Sequence, residues 1–173
     1  MPRCSHGSAT LGCVGVWAAR SGPRASCGRR PGRAGSFRGR TVLQAYLWVA
    51  LDDQGVAVAK VGGEVYDRYT RFDGSADPPV VYAVEPGPAM GLAYVVHPAR
   101  WRQGVGRAVL RAAVAHPDVA NVRVFSAGID ADNQASRRCA SSAGFAPDVE
   151  EPDWEGSVYY LLRRDSVSAA SGP

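Results

Sequence analysis

From Tyr46 onward the apolar residues fall into short blocks and one helical stripe. Leu47 to Leu51 and Val56 to Val61 are rich in strand formers and flank Asp52-Asp53-Gln54-Gly55, a hairpin turn, so two antiparallel strands are predicted. Tyr66 to Pro79 is aromatic, charged and punctuated by Gly and Pro, and reads as a long loop overhanging a substrate site. Val80 to Val84 and Leu92 to Val96 read as two further strands. Val105, Val109, Ala112 and Ala113 share one face of a helix over Val105 to Ala115, with Arg107 and Arg111 on another, and His116-Pro117 stops it. Val122 to Ile129 is the next strand, Ser136 to Ala143 the next helix and Val158 to Leu162 the last strand. This order is a mixed α/β pattern without internal repeat.

Chemistry concentrates where the Leu92 to Val96 strand ends at His97-Pro98. The basic loop Trp101-Arg102-Gln103-Gly104-Val105-Gly106-Arg107 then opens a helix. A strand, a glycine-containing loop and a helix N-terminus make an anion trap: glycine lets backbone amides close on a phosphate, and the helix end presents unpaired N–H groups and a positive dipole. Arg102 and Arg107 add charge. The spacing fits neither a Walker loop nor a dinucleotide fingerprint. Further on, Asp132 or Asn133 is an N-cap for a short helix that Gly144 ends before Phe145.

Together these two segments resemble the GNAT superfamily of acyl-CoA-dependent N-acetyltransferases. Trp101 to Gly106 has the spacing of that family's phosphate loop, with Trp where Arg or Gln is usual, and Asn133, Ser136, Gly144 and Phe145 have the spacing of its second motif. The resemblance covers roughly Leu43 to Arg164 and is closest to the branch containing the ribosomal-protein alanine acetyltransferases. It implies a GNAT-like mixed sheet with mostly antiparallel N-terminal strands, a splayed central parallel pair and helices on both faces. On this resemblance the family's N-terminal strand and helices are expected to be missing or replaced, since an Arg/Gly-rich segment holds their place. It further implies acetyl-CoA as co-substrate: pantetheine lies along the backbone of Val95 and Val96, the pyrophosphate sits on Arg102, Gln103, Gly104, Val105, Gly106 and Arg107, and Asn133 and Ser136 contribute beside it. The family's usual acid position, a Tyr, is Ala140 in this chain, and Gly128 stands where some members carry Glu. Candidate bases are Glu64, Glu85 and Asp130, with Asp130 favoured because it ends the strand bordering the cleft. The activity implied is acetyl transfer to a primary amine of a small molecule or a protein N-terminus. The alternative is a degenerate, non-catalytic CoA-binding module.

Composition sets the outer limits. The 173 residues, 46% apolar, suit one domain over residues 41–164. Net charge is +4, yet residues 1–40 hold eight Arg and no acid, leaving twelve basic against sixteen acidic residues, a net −4, for the remainder. That Arg/Gly/Ser-rich stretch and residues 165–173 read as disordered tails. Aromatics are too sparse in the tail for nucleic acid to be the expected partner. No apolar run reaches membrane-spanning length, and no metal-ligand spacing occurs among the four Cys and three His, so a metal-free cytoplasmic protein is expected. Cys139 reads as core packing. The sequence admits a homodimer without fixing the oligomeric state. Glu150 to Gly156 is an acidic turn that would draw a cationic amine, with Trp154 as its wall.

Overall fold

The computed structural model describes residues 36–164. Its strands are β1 (Ser36–Phe37), β2 (Arg40–Leu51), β3 (Ala57–Asp73), β4 (Val80–Val96), β5 (Val124–Asp130), β6 (Ala146–Pro147) and β7 (Ser157–Arg163). Its helices are α1 (Val105–Ala115) and α2 (Gln134–Ala143). The seven strands form one sheet in the order β1-β2-β3-β4-β5-β7-β6, with β4 and β5 parallel and every other neighbour pair antiparallel. The described structure therefore starts within the stretch expected to be tail. The remainder of that stretch, and residues 165–173, lie outside the described residues.

One expected element is replaced. Tyr66 to Asp73 continues β3 instead of looping, and Val80 to Val96 is a single strand through Pro86-Gly87-Pro88. A register shift between Tyr66 and Arg68 absorbs the proline-bracketed kink, where Gly87 sits at φ 101°. Of the charges that suggested a loop, Arg71 is neutralised from across the chain by Asp148, which also pairs with Arg163 and whose side chain is 8% exposed. Pairing with a distant partner outweighs local composition here.

Apolar alternation sets the two faces of the sheet. Met90 and Leu92 of β4 point the same way as Phe125, Ala127 and Ile129 of β5, and Val109, Leu110 and Ala113 of α1 join Ala140 and Ala143 of α2 on that side. Both described helices thus cover one face, which corrects the expectation of helices on either side: each has a single apolar stripe, and these inward positions of β4 and β5 open a core only there. Arg164 closes its edge, donating to the carbonyls of Val114, Val119 and Val122 while its guanidinium lies 4.8 Å from the Phe125 ring centre. Among the described residues no helix is long and apolar enough to cross a membrane.

Candidate active site

The sheet forks. Parallel pairing of β4 with β5 ends at Gly91 and Ser126, although β4 runs on to Val96 and β5 to Asp130. Each strand stays paired on its outer edge, β4 with β3 and β5 with β7. The amide of His97 donates to Val58, so strand alternation turns the peptide group of Val95 toward β3 and those of Tyr94 and Val96 into the gap. Of the two positions expected to meet pantetheine, the peptide group of Val96 faces the gap and that of Val95 faces β3, because alternate peptide groups on one strand face opposite neighbours. On the other arm Gly128 faces the gap by the same count. The carbonyl of Val96 already accepts the indole N–H of Trp101 at 2.9 Å. Trp101, 63% exposed, therefore pins the loop to the end of β4.

That loop ends in a concave run of amides. Arg102 at φ 59° and Gly104 at φ 78° are both left-handed, which turns neighbouring N–H groups to one side. Among the described residues, the amides of Arg102 to Arg107 meet no protein acceptor; the first helical bond runs from Ala108 to Gly104 at 3.1 Å. A Cβ on Gly104 would meet nothing within 4 Å, so its glycine answers the backbone conformation. Gly106 has a different reason: a Cβ there would stand 2.7 Å from the Cys139 sulfur, so it lets α1 approach α2. Val105 begins α1, the Gln103 side-chain amide donates to Ala99 at 3.0 Å, and Arg102 and Arg107 are exposed. A diphosphate fits these free donors and two guanidinium groups.

α2 begins beside the gap. Asn133 accepts the amide of Ser136 at 3.0 Å, and the carbonyl of Ser136 accepts the Tyr94 hydroxyl at 3.2 Å. Tyr94 so ties β4 to the start of α2 below the fork, and burial pushes its phenol far above the ordinary value. Burial likewise raises the Cys139 thiol. Ala140, at the position where the resemblance places an acid, is fully buried in the core and has no group to give a proton.

The face away from the helices is the open side of the fork. Gly91, Ala93 and Val95 of β4 and Ser126, Gly128 and Asp130 of β5 alternate onto it. Of the three candidate bases, Glu85 is committed to Arg163, whose guanidinium holds it below the usual carboxylate range. Asp130 is exposed at the far end of β5, where its carbonyl accepts the Asn133 amide at 2.9 Å. Glu64 stands in register with Gly91, at the vertex itself, and accepts the Tyr66 hydroxyl at 2.7 Å. Burial, with that bond second, pushes the Tyr66 phenol up to about 12, so it remains a proton donor to Glu64.

Beside the vertex lies a cavity of about 770 Å³, whose wall includes Arg40, Tyr69, Tyr82, Ser126, Trp154 and Tyr159. Trp154 packs on the β3–β4 turn, where a Cβ on Gly74 would fall 2.0 Å from its ring. The acidic turn is largely used internally: Glu155 pairs with Arg38 at 2.6 Å, Glu150 with Arg137 at 3.4 Å, and Asp153 accepts the amides of Glu155 and Ser157. Among the described residues no His, Cys, Asp and Glu group is arranged to hold a metal.

The class of fold is therefore a mixed α/β sheet forked beside a helix N-terminus with free amides. The family model for the acetyltransferase (GNAT) domain matches residues 36–146, and the chain belongs to that family. An uncharacterized N-acetyltransferase, YfmK of Bacillus subtilis (strain 168), is 33% identical over 72 residues, 42% of this chain; the match spans about half, 49%, of that relative. Among solved structures, aminoglycoside acetyltransferase AAC(6')-Ib in complex with coenzyme A and kanamycin is similar in fold at TM-score 0.53 and 20% identity, covering 69% of this chain and 67% of the other. YncA of Salmonella typhimurium, a putative acetyltransferase solved with acetyl-CoA, gives 0.51 at 23% identity, covering 75% and 70%. The ribosomal-protein-S5-alanine acetyltransferase of Vibrio fischeri gives 0.50 at 15%, covering 70% and 62%, and is one neighbour among several.

Proposed function

We propose that this chain is an acetyl-CoA-dependent N-acetyltransferase that passes an acetyl group to a primary amine by direct attack on the thioester. The observation that carries this reading is the fork, with its vertex at Gly91 and Ser126 and free amides at its open end. In this reading Arg102 to Arg107 hold the pyrophosphate, and the gap-facing backbone of Tyr94 and Val96, with Asn133 and Ser136, takes the pantetheine arm. Val96 lies five residues from the vertex, roughly 17 Å along a strand, a span an extended pantetheine can reach. Bound acetyl-CoA supplies an activated acyl carbon and a good thiolate leaving group. The unpaired amide of Tyr94 is available to a developing oxyanion. Glu64, at the vertex, is the base we favour over Asp130. With Ala140 in the core, solvent returns the proton to the departing thiolate.

The relatives named above act on an aminoglycoside in one case and a ribosomal-protein alanine in another, so a small-molecule amine and a protein N-terminus are both admitted as acceptors. A cytoplasmic setting is part of the proposal, in keeping with the free thiol of Cys139.

Calorimetric titration of the full chain with CoA and acetyl-CoA, followed by thiol release across an amine panel, tests the reading. Saturable heat with amine-dependent thiol release is expected. Absence of heat at millimolar coenzyme sinks it, and binding without release from any amine favours the non-catalytic module. Trp101→Phe keeps a ring but loses the bond to Val96. It is expected to weaken CoA binding about three- to fivefold, the scale of one exposed hydrogen bond, leaving the unfolding transition nearly unmoved.

A further inference from the structure

We propose that the acceptor amine carries its own oxyanion, a carboxylate or a phosphate, and that Arg40 binds it. This rests on the acetyl-transfer reading and names the substrate class for the same site. Three guanidinium groups line the cavity beside the vertex, and two are committed: Arg38 to Glu155 and Arg71 to Asp148. Arg40 has no carboxylate partner among the described residues. Its one hydrogen bond to protein there is a long 3.5 Å contact from Nε to the carbonyl of Phe37. Asp73 and Asp153 accept amides in their own turns through Oδ1, the Oδ2 of Asp153 being buried without a partner among the described residues, and Glu151 is exposed.

Aromatic rings fix where this cation sits. The Arg40 guanidinium lies 4.1 Å from the ring centre of Tyr66, 5.4 Å from Phe37 and 5.7 Å from Phe72. The Tyr66 ring in turn reaches within 3.8 Å of where a Gly91 Cβ would stand, at the vertex. Tyr159 closes the other side, its ring 3.4 Å from the corresponding point on Gly128. The charge is thus held half out of water next to the place where an amine must meet the acyl carbon, and desolvation lowers its pKa from the ordinary guanidinium value. A planar fork in that state gains most from a bidentate oxyanion, which restores the lost solvation and leaves the rings in place. The coenzyme's own phosphates do not reach it: their cradle starts α1 at the open end of the fork, behind the opposite face of the sheet.

Matched amines test this on the full chain, with and without saturating CoA: β-alanine against β-alaninamide for a carboxylate, and phosphoethanolamine against ethanolamine for a phosphate. Calorimetry is expected to find the charged member of at least one pair bound tenfold or more tightly than its neutral analogue. Arg40→Gln should bring that ratio within twofold at unchanged CoA affinity, and Arg40→Lys should retain part of it, keeping charge without the fork. Neutral members binding as well as the charged ones, no binding by either pair, or an undiminished ratio in Arg40→Gln would overturn the assignment. Failure of acetyl transfer itself reads separately, as absent coenzyme heat or absent thiol release.

Discussion

Alanine in place of Gly63 is expected to lower unfolding stability by about 3 kcal/mol and to weaken coenzyme binding at least tenfold. A Cβ at this position would stand 1.7 Å from the backbone oxygen of Gly91 and 2.8 Å from its carbonyl carbon. No rotamer relieves such a contact, because both atoms belong to the main chain, so β3 and β4 must separate at the vertex. Gly62 is similarly confined, 2.2 Å from the carbonyl oxygen of Tyr46. The control is Gly91→Ala, whose Cβ would meet only the Tyr66 ring edge at 3.8 Å, an ordinary contact. Urea unfolding and CoA calorimetry on the two variants should give a large loss at 63 and a small one at 91. Equal behaviour would show that the fork is not held by the close approach of β3.

Glu64→Gln is expected to reduce kcat/KM for the amine about a hundredfold, within the range that a positioned general base contributes. The substitution keeps an oxygen to accept the Tyr66 hydroxyl, so the pair at 2.7 Å is preserved while the basic group is lost. CoA affinity and the thermal midpoint should stay close to those of the parent protein. The variant's rate should keep climbing with pH as more acceptor amine becomes neutral without help. Asp130→Asn, at the far end of β5, is expected to change the rate less than threefold. A Glu64→Gln enzyme within threefold of the parent, or an Asp130→Asn enzyme that loses a hundredfold, would move the base to another group.

The two helices, the hairpin at Asp52 to Gly55 and the terminal strand were legible because each obeys a local rule. Turn residues stand between strand formers, an apolar stripe recurs at helical spacing, and Asn133 and Gly144 occupy the caps at the two ends of α2. Of the expected loop, residues 74–79 do form the turn between β3 and β4, whereas Tyr66 to Asp73 is strand, against its local signals. Its Asp and Arg are local loop signals, but what makes it a strand is Val80 to Pro86 folding back on it and Asp148, far along the chain, meeting Arg71. Gly106 carries a second constraint that the sequence did not show, since its neighbour in space is Cys139, more than thirty residues on. Trp101 looked like a departure from a motif, and its bond to Val96 is visible only once the loop has turned back on β4.

By itself the sequence determined the two helices with their caps, most of the strands and the glycine-bearing loop ahead of α1, since each depends on residues within a few positions of one another. Only the tertiary structure decided where β4 and β5 part, which alternate peptide groups were left facing the gap, that both helices share one face, and which carboxylate stands at the vertex. Those outcomes depend on strand register and on atoms brought together from distant parts of the chain. A single step in register turns every side chain to the opposite face.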